Sequence, residues 1–124
     1  MEAFLTKSKK GFPLNPEVVE EIARDYSLRA QKGEDVIIFT EHADEQMDER
    51  NISKKQVLQV LEFGRFVKGQ ERFSEEENDY SYLLRDHYVD DRDIAVAIAI
   101  IDADGQKVLI VTAMIIDPQT GKFI

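Results

Sequence analysis

The sequence predicts an α+β fold, with N-terminal helices packed on one face of a mostly antiparallel β-sheet. Three observations lead there. Apolar residues recur at helical spacing from Val19 to Ala30. A short apolar run, Val36 to Phe39, feeds two further amphipathic segments that end at Gly64. From Tyr80 onward, apolar residues alternate with polar ones or run continuously between turn signals. Helices first and strands after them is the α+β order.

Residues 1–14 show little periodicity and are expected to form a flexible lead-in to a single domain over 15–124. Asn15-Pro16 opens the first helix, since Asn caps free amides and Pro at the first helical position has no amide to leave unsatisfied. Val19, Ile22, Ala23, Tyr26 and Ala30 form its inner face, and Lys32-Gly33 ends it. Asp35 to Phe39 is a strand. Thr40 caps a second helix, which Asn51 closes by taking the left-handed conformation. Ser53-Lys-Lys-Gln56 reads as a capping box for a third helix through Val57, Val60, Leu61 and Phe63, stopped by Gly64. Arg65 to Phe73 is then expected as one strand, Ser74 to Asp79 as an acidic turn, and Tyr80 to Tyr88 as a two-faced strand. Ile94 to Ile101 and Val108 to Ile116 are expected as central antiparallel strands joined through Asp102-Ala-Asp-Gly105. The first of these places Ile94, Val96, Ile98 and Ile100 on one face and mainly alanines on the other, where a second layer or a homodimer partner has room to approach.

Composition narrows the classes. Hydrophobic residues make up 43% and charged residues 33%, which argues for a globular chain and against disorder. The absence of cysteine excludes disulfides and thiolate metal sites, and a cytoplasmic location is expected. Lys7, Lys9 and Lys10 precede Gly11-Phe12-Pro13 instead of an apolar stretch, so no signal peptide is expected. The longest apolar run, Ile94 to Ile101, falls far short of the roughly 20 residues that span a bilayer, so no membrane role is expected.

The net charge of −9 opposes non-specific nucleic-acid binding. The charge is uneven, however. Arg50, Lys54, Lys55, Arg65, Lys68 and Arg72 face only Glu62 and Glu71 in their stretch, whereas the stretch from Glu75 to Asp93 is strongly acidic. One basic face is therefore compatible with an acidic whole. So is a merely solvated surface.

The candidate chemistry centres on Thr40-Glu-His-Ala-Asp-Glu-Gln-Met-Asp-Glu-Arg50. On a helix, His42, Gln46 and Arg50 fall on one polar ridge beside the apolar stripe of Ala43 and Met47. A titratable imidazole, an amide and a fixed cation can begin a site for an anionic substrate, or can form a solvated helix face. Helical spacing puts His42 near Glu45, but no second matching pair of ligands appears, so no metal is expected. No phosphate-binding loop, dinucleotide glycine motif or nucleophile elbow is present, and no cofactor is expected.

Several of these stretches are familiar. Phe39-Thr40-x-His42-Ala43, Met47-x-x-Arg50-x-Ile52-Ser53 and Leu61-Glu-Phe-Gly64 resemble the opening of the bacterial DUF4258 family. Ile110-Val-Thr-Ala113 resembles its closing strand, so the resemblance spans roughly residues 36–116. The family often has Arg where this chain has Gln46, and usually Gly where it has Asn51. The first departure removes a cation from the ridge; the second still permits the left-handed cap. The helix–helix–sheet layout is similar to toxins of the RelE, ParE and BrnT type, several of which cut RNA. By that analogy the resemblance implies a toxin-like, metal-independent endoribonuclease, with RNA or a small antitoxin-like protein as partner. His42 would then serve as acid or base and Arg50 as phosphate clamp, with Gln46, Arg65, Tyr80, Tyr82, Arg85 and Thr112 binding substrate. The alternative is a non-catalytic interaction or regulatory module. In that case His42 anchors its helix to a neighbouring strand or to the Thr112 hydroxyl, Arg50 pairs with Asp86 or with an acid on its own helix, and His87 is surface.

Overall fold

The computed structural model describes residues 14–70, 72–74, 79–102, 106–117 and 119–122. The expected lead-in therefore lies outside the described residues apart from Leu14. Each helix begins where a side chain satisfies its free amides. Helix α1 (Pro16–Gln31) starts on Asn15, whose Oδ1 accepts the Glu17 amide at 2.9 Å. It closes at Lys32 and Gly33, the latter at φ 97°. After strand β1 (Ile37–Phe39), helix α2 (Glu41–Arg50) starts on Thr40, whose hydroxyl accepts the Ala43 amide at 3.0 Å. Asn51 ends it in the left-handed region at φ 57°, ψ 47°. Helix α3 (Lys54–Phe63) carries the full capping box: Ser53 Oγ accepts the Gln56 amide at 3.2 Å, and Gln56 Oε1 accepts the Ser53 amide at 2.9 Å.

Gly64 stops α3 by allowing close approach rather than by supplying positive φ. Its backbone is extended at φ −73°, and a Cβ there would lie 2.4 Å from the Val60 carbonyl oxygen. That oxygen accepts the Gly64 amide at 2.7 Å, which leaves no room for a side chain.

The strands are β2 (Arg65–Phe66), β3 (Arg72–Ser74), β4 (Asp79–Val89), β5 (Arg92–Asp102) and β6 (Gln106–Ile115). They form one sheet in the order β1-β6-β5-β4-β2, with β3 also paired to β4. The single strand expected over 65–73 is two pieces. Lys68, Gly69 and Gln70 between them are exposed, with Gly69 at φ 79°, and have nothing apolar to bury. Both pieces pair antiparallel with β4, at Leu84–Arg85 and at 79–81. Strands β4–β5 and β5–β6 are antiparallel, whereas β1 runs parallel to β6. The acidic turn expected at 74–79 and the hairpin turn expected at 102–105 fall mostly outside the described residues. Strands β4 and β5 join at Asp90-Asp91, both at positive φ (50° and 66°), which is what a tight two-residue hairpin of right-handed twist demands.

All three helices lie against one face. Ile94, Val96, Ile98 and Ile100 of β5 are buried there with Val19, Val57, Leu61 and Ile110. Alternation sends Ala95, Ala97 and Ala99 to the other face, where Leu83, Ala95 and Ile116 form a small second cluster. Helix α2 packs mainly on β6, in line with the short β1. No helix among the described residues is long and apolar enough to cross a membrane.

Gly64→Ala should lower unfolding stability by about 2 kcal/mol, the scale of a strained backbone contact. Ser53→Ala should cost about 1 kcal/mol through loss of the cap. Urea unfolding of both variants checks the order, and a Gly64→Ala protein as stable as the parent would contradict the steric account.

Candidate functional site

The ridge of His42, Gln46 and Arg50 winds from solvent into the protein. His42 is exposed near the start of α2, and Gln46 and Arg50 are half-buried. Eight residues separate imidazole from guanidinium, about 12 Å along the axis and about 80° around it. One guanidinium nitrogen of Arg50, Nη1, is shut away from solvent. The bond expected from His42 to Thr112 is made by Gln46 instead: the Thr112 hydroxyl donates to Gln46 Oε1. That hydrogen bond fixes α2 on β6 and explains why an amide is useful at this position.

The other residues expected to bind substrate are scattered. Tyr82 is buried under the helices, its hydroxyl accepting the Leu14 amide at 2.8 Å. Tyr80 lies 6.5 Å from it, half-buried against the same core, so the pair belongs to the core and offers no open base-stacking platform. Arg65 is largely exposed on β2, its Nη1 3.9 Å from Glu20. Arg85 lies on the opposite face of the sheet.

That opposite face holds a cluster that the sequence does not announce. Arg85 donates through Nε and Nη2 to both carboxylate oxygens of Asp93, at 2.9 and 2.6 Å. His87 Nδ1 lies 3.1 Å from Asp93 Oδ2. Strand alternation puts Arg85 and His87 on one face, and the Asp90-Asp91 turn folds β5 back so that Asp93 meets them. A ladder irregularity between Asp86 and Val89 interrupts β4, where the Asp86 carboxylate accepts the Tyr88 amide at 3.0 Å. There Tyr88 is 84% exposed. The Arg85 guanidinium beside Asp93 holds that carboxyl below its usual range, against an opposing effect of burial. The same bond raises the Arg85 guanidinium further.

Arg92, at the start of β5, ties this hairpin to the helices. It donates to the Arg50 and Asn51 carbonyls at 3.0 and 2.7 Å and to Gln56 Oε1 at 2.9 Å. Those carbonyls end α2 and have no partner within the helix, so a cation there is favourable. Gln56 also donates to Asp90 at 3.0 Å. On the outer surface of α2, Glu41, Asp44, Glu45, Asp48 and Glu49 are all exposed, while Ala43 and Met47 are buried beneath. Among the described residues, no three His, Asp or Glu side chains gather closely enough to hold a metal ion.

The family model of a domain of unknown function, DUF4258, matches residues 39–115 of the chain. No significant match was found among curated proteins or among solved structures. The matched region runs from the end of β1 to the end of β6. It contains α2, the hairpin cluster and the Arg92 bonds, and leaves α1 outside.

A carboxyl whose folded pKa is depressed contributes stability above its unfolded pKa of about 3.9 and loses it as pH falls through the folded value. Asp93→Asn should therefore be clearly less stable than the parent at neutral pH, and the gap should narrow below about pH 4. Urea midpoints measured across that range check this; a gap independent of pH would contradict it.

Proposed function

Because the chain belongs to the DUF4258 family, whose function is unknown, we propose its role from its surface: a protein-interaction module whose acidic α2 face engages a basic partner. One observation carries the reading. Glu41–Glu45, Asp44–Asp48 and Glu45–Glu49 are like-charged pairs four residues apart on one exposed helix. Each such pair costs an isolated helix roughly 0.2–0.5 kcal/mol. None of the five carboxylates is ion-paired among the described residues. Helix stability alone would favour lysines at some of these positions. A partner carrying Lys or Arg converts the repulsion into attraction and is steered by the overall charge of −9. Two guanidinium groups of the sheet are meanwhile engaged within the protein: Arg85 by Asp93, and Arg92 by the end of α2.

Glu45→Lys tests this directly, because the introduced ammonium would stand four residues from both Glu41 and Glu49 and replace two repulsions with two attractions. The variant should be more stable by about 0.5–1 kcal/mol and yet lose the basic partner recovered with the parent protein at stoichiometric level. Unchanged partner retention in the variant, or a strictly monomeric parent with no partner, would overturn the proposal.

A second reading, a RelE/BrnT-type endoribonuclease, is favoured by one feature: the His42 imidazole is exposed and available for proton transfer. Under it, induced expression arrests growth, purified protein cleaves RNA without added metal, and His42→Ala relieves both effects. Absence of arrest and cleavage by the parent protein removes this reading.

A further inference from the structure

We propose that the cavity at the β4–β5 turn is a socket for one cationic side chain, of arginine type, presented by the basic partner. This rests on the interaction reading above and adds a second contact site, on a different element from the α2 face. The cavity measures about 460 Å³ and is lined by His87, Tyr88, Asp91, Arg92, Asp93, Ile115 and Ile116. That is room for a long side chain, near the lower end of the range of small-ligand sites.

Three features select a cationic donor. The first is the tautomer of His87. The Asp93 carboxylate paired with Arg85 only accepts, so a His87 ring that carries a single proton donates through Nδ1. Its Nε2 is then left as a bare acceptor on a side chain 58% exposed. Second, the Asp91 carboxylate is exposed, with no cation in ion-pairing range among the described residues. Third, the Tyr88 ring stands 6.2 Å from the imidazole, tilted by 55°, and is open to a guanidinium on its face.

The two resident guanidinium groups do not oppose such a guest. Arg85 is neutralised by a bidentate carboxylate, and Arg92 donates away from the cavity to the end of α2. The floor is apolar and held in place: the Ile116 amide donates to the Asp93 carbonyl at 2.8 Å. Ile115 and Ile116 can therefore receive the methylene stem while the head reaches Asp91 and His87 Nε2.

The test is an amide NMR titration of the full chain with acetyl-arginine amide, using the neutral isostere acetyl-citrulline amide as control. Saturable shifts are expected at residues 87–93 and 115–116 with arginine, and binding at least about tenfold weaker with citrulline. Tyr88→Ala should weaken arginine binding by about threefold and Asp91→Asn by a similar factor. Both side chains are exposed, so the fold should survive, and unchanged spectra elsewhere confirm that it has. Glu45→Lys should leave this titration unchanged, because α2's face is a separate contact. Equal binding of citrulline, insensitivity to both hairpin variants, or shifts confined to α2 would overturn the socket. The last outcome would leave the acidic-face proposal standing. Absence of shifts anywhere also overturns the socket, and partner retention by Glu45→Lys still decides the wider reading separately.

Discussion

Arg92 sets the geometry on which the functional surfaces depend. Its guanidinium joins the first residue of β5 to the two carbonyls that end α2 and to the side chain that caps α3. Two carbonyls that would otherwise need water or another donor are thereby satisfied by one side chain, which also adds a second donor to Gln56 Oε1 beside the Ser53 amide. The bend between α2 and α3 is held against the β4–β5 turn, and Gln56 adds a bond to Asp90 at the same place. At α2's other contact with the sheet, the Gln46–Thr112 bond docks it on β6. These two ties, with Ala43 and Met47 buried between helix and sheet, leave α2 one way to face. The charged residues left outside are nearly all carboxylates.

Much of the fold is legible in the sequence because its local signals are strong and agree. Asn15, Thr40, Ser53 and Asn51 all occupy the capping positions their chemistry suggests. The alternation from Ile94 to Ile100 identifies the buried face of β5. The signals that failed are short or non-local. Arg65 to Phe73 has a strand-like composition, but its polar middle gains nothing by pairing, so the strand divides. The parallel placement of β1 beside β6 joins residues about 70 apart, and no local pattern encodes it. Asp90-Asp91 is a weaker hairpin signal than Asp-Gly, because two non-glycine residues must adopt positive φ.

The weakness of that turn signal also hides the hairpin cluster. Arg85 and His87 look like isolated surface residues until the fold-back brings Asp93 between them. Counting back from the register Val89↔Arg92 would set Tyr88 opposite Asp93. The irregularity between Asp86 and Val89 shifts the ladder and brings Arg85 and His87 to Asp93's face, and no local pattern in the sequence announces that shift. The ridge on α2 shows the converse. Its spacing is readable, but which of its members face solvent depends on how α2 sits on β6, so His42 stays outside while Gln46 and Arg50 turn inward. The family match covers this same region and attaches no activity to it.

The most direct measurement is zero-length carbodiimide cross-linking of the protein with its cellular partners, read by mass spectrometry at residue level. The account predicts intermolecular links from Glu41, Asp44, Glu45, Asp48 or Glu49 to lysines of a basic protein. Links arising instead from the exposed acids of α1, such as Glu17, Glu21 and Asp25, or no intermolecular links at all, would contradict it.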